Sequence, residues 1–83
     1  MAEQLRFFLR LNQVKAATGM SRSWLYEAIR RGEFPGPIPL GARAVAWDSA
    51  AIADWQAARI VAKSNAEIRQ VVARLESARK VAS

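Results

Sequence analysis

The sequence predicts a small, mainly helical domain that carries a short β-hairpin or three-stranded sheet and ends in a helical extension. Three observations lead there. Two short apolar-periodic segments flank Gly19-Met20, a stretch rich in Pro and Gly lies between two extended runs, and the composition turns Ala- and Arg-rich after residue 63. At 83 residues the chain has the length of one ordinary domain. It divides into a body over residues 1–63 and a helical or partly disordered tail over residues 64–83.

In order along the chain, residues 5–11 read L-R-F-F-L-R-L, with Leu5, Phe7, Leu9 and Leu11 alternating against Arg6, Phe8 and Arg10, the periodicity of a strand. Asn12 is expected to cap a first helix through Val14, Ala16 and Ala17, which Gly19 ends in a left-handed conformation. Ser21 opens a second helix with Leu25, Ala28 and Ile29 on one stripe, stopped by Gly32 and Pro35. Pro35, Pro37 and Pro39 then forbid helix and leave an extended stretch around Ile38 and Leu40. A turn at Gly41, Ala42 and Arg43 returns the chain through residues 44–47, making a hairpin that the first strand extends to three strands. Asp48 caps a third helix with Ile52, Trp55, Ala58 and Ala62 on one face and Trp47 as a staple on its first turn. Trp24, Trp47, Trp55 and Phe34 read as core and staple residues rather than a stacking platform for single strands.

In the last segment Val61, Ile68, Leu75 and Ala82 recur every seven residues, with Val71 and Ala78 between them. Ser64 to Glu67 can form a capping box, or one helix can run on from Asp48; the pattern leaves this open. Ile68, Val71 and Leu75 are therefore candidate self-association residues. So are Leu5, Phe7 and Leu9 on the edge strand, whose default role is pairing within its own sheet. Glu76, nine residues from Glu67, has Lys80 four residues on as an ion-pair partner, which argues against paired catalytic carboxylates.

Composition narrows the function. The chain has no Cys and no His, so no thiolate or imidazole metal ligand and no Ser-His or Cys-His nucleophile pair is available; no enzymatic activity and no cofactor are expected. Hydrophobic residues make up 52% of the chain, but 17 of them are Ala, which leaves large side chains for only a thin core. No apolar run approaches the ~20 residues of a membrane span, and no signal-peptide pattern opens the chain. A cytoplasmic protein is expected. Thirteen Lys and Arg against seven Asp and Glu give a net charge of +6, and ten of the thirteen are Arg, whose planar fork binds phosphate and guanine edges bidentately. The expected partner is a polyanion.

If Leu25, Ala28 and Ile29 face inward, Ser23, Tyr26, Glu27 and Arg30 face outward, with Arg22, Trp24 and Arg31 flanking. Helix-turn-helix proteins insert the start of such a helix into the major groove, and Ser21 lies at the end where free N–H groups meet phosphate. Arg43, alone at the tip of a small neutral turn, has the position of a wing cation for the minor groove. The competing reading is a solvated helix face and a hairpin kept soluble by one Arg, since Glu27 repels phosphate.

Residues 10–55, and within them T-G-M-S-R-S-x-L-Y at 18–26 and G-E-F-P at 32–35, with Trp47 and Trp55 closing the pattern, resemble the AlpA-type regulators, small phage- and island-encoded winged-helix proteins, which implies a nucleoid-associated protein of a prokaryote. The wider group is similar to MerR-like DNA-binding domains and to excisionases, the recombination directionality factors of temperate phages and integrative elements. The resemblance implies a winged helix-turn-helix with Ser21, Arg22, Ser23, Trp24 and Tyr26 on the recognition helix, Arg30 at its far end and Arg43 in the wing. Trp24 stands where the family often has a small Ser or Thr, which takes away a base-edge hydrogen bond and suggests packing beside the wing. Lys15 and Gln13 replace an early acidic residue of the first helix, so Lys15, like Arg31, is a candidate backbone contact.

The function this implies is that of an excisionase-like directionality factor, which binds repeated double-stranded DNA sites near an attachment junction, self-associates there and works with an integrase. The alternatives are an AlpA-like transcription regulator of integrase or prophage genes and, more remotely, a protein-interaction module with no DNA target.

Overall fold

The computed structural model describes residues 7–82, with side chains through residue 78, in the order strand, two helices, two strands, two helices. Leu5, placed by its alternation on the first strand, lies outside the described residues. β1 (Phe8–Leu9) and β2 (Ile38–Pro39) flank β3 (Val45–Asp48) in an antiparallel sheet of order β1-β3-β2. The register sets Phe8 opposite Asp48, Leu9 opposite Trp47, and Ile38 opposite Ala46. Pro39 is tolerated because β2 is an edge strand whose outer side asks for no N–H. The Leu40 N–H donates to the Ala44 carbonyl at 2.7 Å and closes the tip at Gly41, Ala42 and Arg43. Among the described residues of the alternation expected over residues 5–11, the strand takes in Phe8 and Leu9; Leu9 turns toward the core, while Phe8 and the preceding Phe7 stay exposed.

α1 (Leu11–Thr18) begins at an extended Arg10, not at Asn12. The Gln13 side-chain oxygen accepts from the Arg10 N–H at 2.8 Å, and Leu11 packs against the core, so the first turn starts earlier and leaves Asn12 inside it. Gly19 ends the helix at φ +73°, a conformation that costs a glycine little. α2 (Arg22–Arg30) follows after Met20, with Ser21 as its N-cap: the Ser21 hydroxyl oxygen accepts from the Trp24 N–H at 3.1 Å. Asp48 caps α3 (Ser49–Val61) by accepting from the Ala50 N–H at 3.0 Å. A break at residues 62–64 separates α3 from α4 (Asn65–Ala82), so a single continuous helix from Asp48 is not formed. No helix among the described residues is long and apolar enough to cross a membrane.

The core gathers Val14, Leu25, Ala28, Phe34, Trp47, Ile52 and Trp55 together with Ile68 and Val72 of α4. Phe34 and Trp55 meet edge to face with ring centres 4.8 Å apart. The two buried indoles satisfy their N–H groups on the loop after α2: Trp47 donates to the Pro35 carbonyl at 2.9 Å and Trp55 to the Glu33 carbonyl at 2.8 Å. These bonds fix the loop that joins α2 to the hairpin. They therefore set where the hairpin stands relative to α2.

The change in composition at residue 64 does not mark a break in packing. Ile68, expected on an association face, is fully buried within its own chain, while Val71 and Leu75 are half-buried. Val61, the first member of the seven-residue pattern, is instead 75% exposed. The physical reason is the break at residues 62–64, which puts Val61 at the end of α3, off the face that carries Ile52, Trp55 and Ala58, while the 3.6-residue period of α4 brings Ile68, Val72 and Leu75 onto one face. Two polar ties add to this packing. Arg69 pairs with Glu33 at 2.8 Å, and Glu76 accepts from the Gly36 N–H at 2.8 Å rather than serving only a solvent-facing pair with Lys80, whose side chain is outside those described.

Candidate nucleic-acid interface

Three residues separate α1 from α2, and their conformation sets how α2 is presented. The left-handed Gly19 reverses the chain, the Thr18 hydroxyl donates to the Val14 carbonyl and accepts from the Met20 N–H, and Ser21 then nucleates α2. The Gln56 side chain of α3 donates to the Ala17 carbonyl at 3.0 Å and pins the end of α1. With Leu25 and Ala28 wholly buried, the helical period leaves Ser21, Arg22, Ser23, Tyr26 and Arg30 exposed along the other side.

The side chains on that side are held to different degrees. The Arg22 guanidinium lies 5.1 Å from the centre of the Tyr26 ring, and Tyr26 meets the buried Trp47 edge to face at 6.2 Å. A cation–aromatic contact thus anchors Arg22 through Tyr26 to the core, which reduces the conformational freedom it loses on meeting a ligand. Ser23, the second residue of α2, is exposed. Arg43 is exposed at the hairpin tip, and no described carboxylate pairs with it. Lys15 on α1 is half-exposed and likewise unpaired among the described residues.

Trp24 departs from its expected place. Its ring stands edge to face on Trp55 of α3, 6.5 Å between centres, and is half-buried against the core. The cause is its position one residue before the fully buried Leu25, which turns the large ring toward α3. Tyr26 is the ring that meets the hairpin sheet.

Glu27, expected only as a charge that repels phosphate, pairs with the arginines of its own helix. Its carboxylate accepts from the Arg30 Nε at 3.2 Å and from a second Arg30 nitrogen, and lies 3.8 Å from an Arg31 nitrogen. The hydrogen bond from Arg30 lowers the Glu27 carboxyl below its ordinary range; desolvation opposes this in part, and the charges of Arg30 and Arg31 add to the lowering. The same hydrogen bond raises Arg30 further above its ordinary value. Arg31 also lies 3.6 Å from Glu33, whose other oxygen holds Arg69. The far end of α2 is therefore a charge network, whereas Arg22 and Arg43 are left open to an anion. An i,i+3 Glu–Arg spacing was the available sign of this.

The profile of the family described as "Prophage CP4-57 regulatory protein (AlpA)" matches residues 7–60. The chain belongs to the AlpA family. An uncharacterised protein of Enterobacteria phage P4, ORF88, is 45% identical over 56 residues, which cover 68% of this chain and 64% of that protein, so the comparison spans under two thirds of the relative's length. No solved structure matches the chain. The AlpA-family match takes in the sheet, α1, α2 and nearly all of α3, and stops before α4. The exposed side of α2 and the Arg43 tip thus lie inside the family span, while Ile68 and Val72, which complete the core, lie beyond it.

Proposed function

We propose that this AlpA-family chain is a sequence-specific double-stranded DNA-binding protein that acts as an excisionase-like recombination directionality factor, with no chemistry of its own. The observation that carries DNA binding is the pairing of an N-capped helix, open on the side of Ser21, Arg22, Ser23 and Tyr26, with Arg43, unpaired among the described residues, at the tip of the adjoining hairpin. α2 enters the major groove, where Arg22 reads guanine or phosphate and Ser21 and Ser23 donate hydroxyl hydrogen bonds. Arg43 reaches the minor groove, where negative potential favours a guanidinium. Lys15 and Arg31 contact the backbone, and Arg30 does so to the extent that Glu27 releases it. Trp24 supports α2 rather than touching bases.

In this reading copies bind repeated sites beside an attachment junction, associate there and place an integrase for excision. The family's description as a prophage regulatory protein favours a second reading, a transcription regulator of integrase or prophage genes. A nuclease footprint of the purified protein, with competitor DNA, across its own upstream region and the nearest attachment junction separates them. Protected sites repeating at about one helical turn across the junction support the directionality factor. One protected patch at a promoter supports the regulator, and no protection at either sets aside both.

A further inference from the structure

A groove of about 590 Å³ opens on the side of the molecule formed by β1, the start of α3 and the second half of α4. Its walls are largely apolar: Phe7 and Phe8, 57% and 60% exposed, face Ile38, Leu75 and Ala78. Its polar groups are acidic. Three of the chain's seven acidic side chains, Asp48, Asp54 and Glu76, line it, and among the described residues no Lys or Arg does. Asp48 and Glu76 already accept from the Ala50 and Gly36 N–H groups, and Asp54 is exposed with no cation paired to it among the described residues.

This chemistry excludes nucleic acid and selects an apolar segment that carries positive charge. The chain has such a segment at the other end of α3. Ile60 and Val61 are 83% and 75% exposed, the most open large apolar side chains described, and Arg59 and Lys63 flank them. Arg59 donates to the Asn65 side chain at 2.7 Å and meets no described carboxylate; Glu67, which accepts from the Lys63 N–H, is the acidic group nearby. The segment cannot enter the groove of its own copy, since Ala50 and Val61 lie about 16 Å apart along one rigid helix.

We propose that the groove receives the 59–63 end of α3 from a second copy of this chain, with Ile60 and Val61 against Phe7, Phe8 and Leu75 and with Arg59 and Lys63 facing Asp54. The two patches differ, so the contact is heterologous: each copy offers one of each, and copies add head to tail without closing on a two-fold axis. The net charge of +6 opposes this in free solution, and a polyanion or added salt relieves the repulsion. The inference names the surfaces for the self-association in the proposed reading and rests on that reading only in setting the array on DNA.

The test is made without DNA, so that its failure is distinct from a failure of DNA binding. Sedimentation velocity is run at moderate salt on the full chain, on an end-blocked variant (Ile60→Asp, Val61→Asp) and on a groove-blocked variant (Phe7→Ser, Asp54→Lys), from micromolar to near-millimolar concentration. All substituted side chains are exposed, and thermal melting checks the fold; should either double variant melt early, the single changes Ile60→Asp and Asp54→Lys take its place. The wild type is expected to pass beyond dimer as concentration rises, each blocked variant to stay monomeric, and their equal mixture to form a dimer and nothing larger. A wild type that stays monomeric or stops at dimer, a blocked variant that still associates, or a mixture that stays monomeric overturns the proposal.

Discussion

Replacing Ile68 by Ala asks whether α4 is structural. The side chain is fully buried among the residues that enclose Phe34 and Trp55, on a segment that composition alone would detach from the body. The change removes three carbons, worth about 0.8 kcal/mol each in lost burial, or about 2.4 kcal/mol. The cavity left between α3 and α4 adds to this, and buried Ile-to-Ala changes as a class cost about 2 to 5 kcal/mol. A domain this small has total stability at the lower end of roughly 5 to 15 kcal/mol, so the loss takes a large share of it. With a urea m-value of about 1 kcal/mol per molar, the midpoint should fall by about 2 M or more. Urea unfolding followed by tryptophan fluorescence reads this directly, because Trp47 and Trp55 are in the same core. A midpoint unchanged within about 0.5 M, below the smallest loss expected for this burial, would show that α4 does not share the core.

Other outcomes follow from the site. Arg43→Ala should weaken DNA binding by about fivefold or more, near 1 kcal/mol, with an unchanged melting temperature, as measured by fluorescence anisotropy at moderate salt. Ser23→Ala should change the ranking of base-substituted sites in competition binding; an equal loss on every site would limit Ser23 to the backbone. Glu27→Gln should free Arg30 and Arg31 for phosphate and steepen the slope of log K against log salt by about 0.9 for each further phosphate neutralised. Because the Glu27 carboxyl is lowered in the folded chain, its pairing supports α2 above the ordinary glutamate range and is lost as pH falls through the lowered value. The melting difference between wild type and Glu27→Gln should accordingly disappear at acid pH and hold steady near neutrality.

The parts of the fold most legible in the sequence were those fixed by residues with one dominant local role. Gly19 takes the left-handed position, Ser21 and Asp48 cap α2 and α3, and the prolines around Ile38 confine that stretch to an edge strand. The inward stripe of α2 followed from its period, with Leu25 and Ala28 wholly buried. Less legible were features that depend on partners distant in sequence. Gln13 moves the start of α1 to Arg10 through a bond to one backbone N–H, and a cap-forming Asn12 nearby hides that preference. The seven-residue repeat runs from Val61 across the break at residues 62–64 into α4, whereas the buried face of α4 follows the 3.6-residue period through Ile68 and Val72, and packing on α3 chooses the second. The Arg69–Glu33 and Glu76–Gly36 ties span more than thirty residues, and no local pattern announces them.

At the candidate interface, the sequence identified which side chains of α2 face outward but not which are already engaged. Arg22 and Arg30 look alike on a helical wheel. In the fold one is held over an aromatic ring, and the other is paired to Glu27. Trp24, beside the buried Leu25, turns to Trp55 because α3 offers an aromatic edge there, a fact that only the tertiary arrangement reveals.

The central claim, that the open side of α2 and the Arg43 tip bind double-stranded DNA, is tested most directly by the salt dependence of binding to a duplex from the protein's own upstream region, for wild type and for Arg22→Ala and Arg43→Ala. Log K should fall linearly with log salt, by about 0.9 for each phosphate contacted, and each variant should have a slope shallower by about one phosphate or a lower affinity at every salt concentration. Binding that is independent of salt, or that is the same in all three proteins, would contradict it.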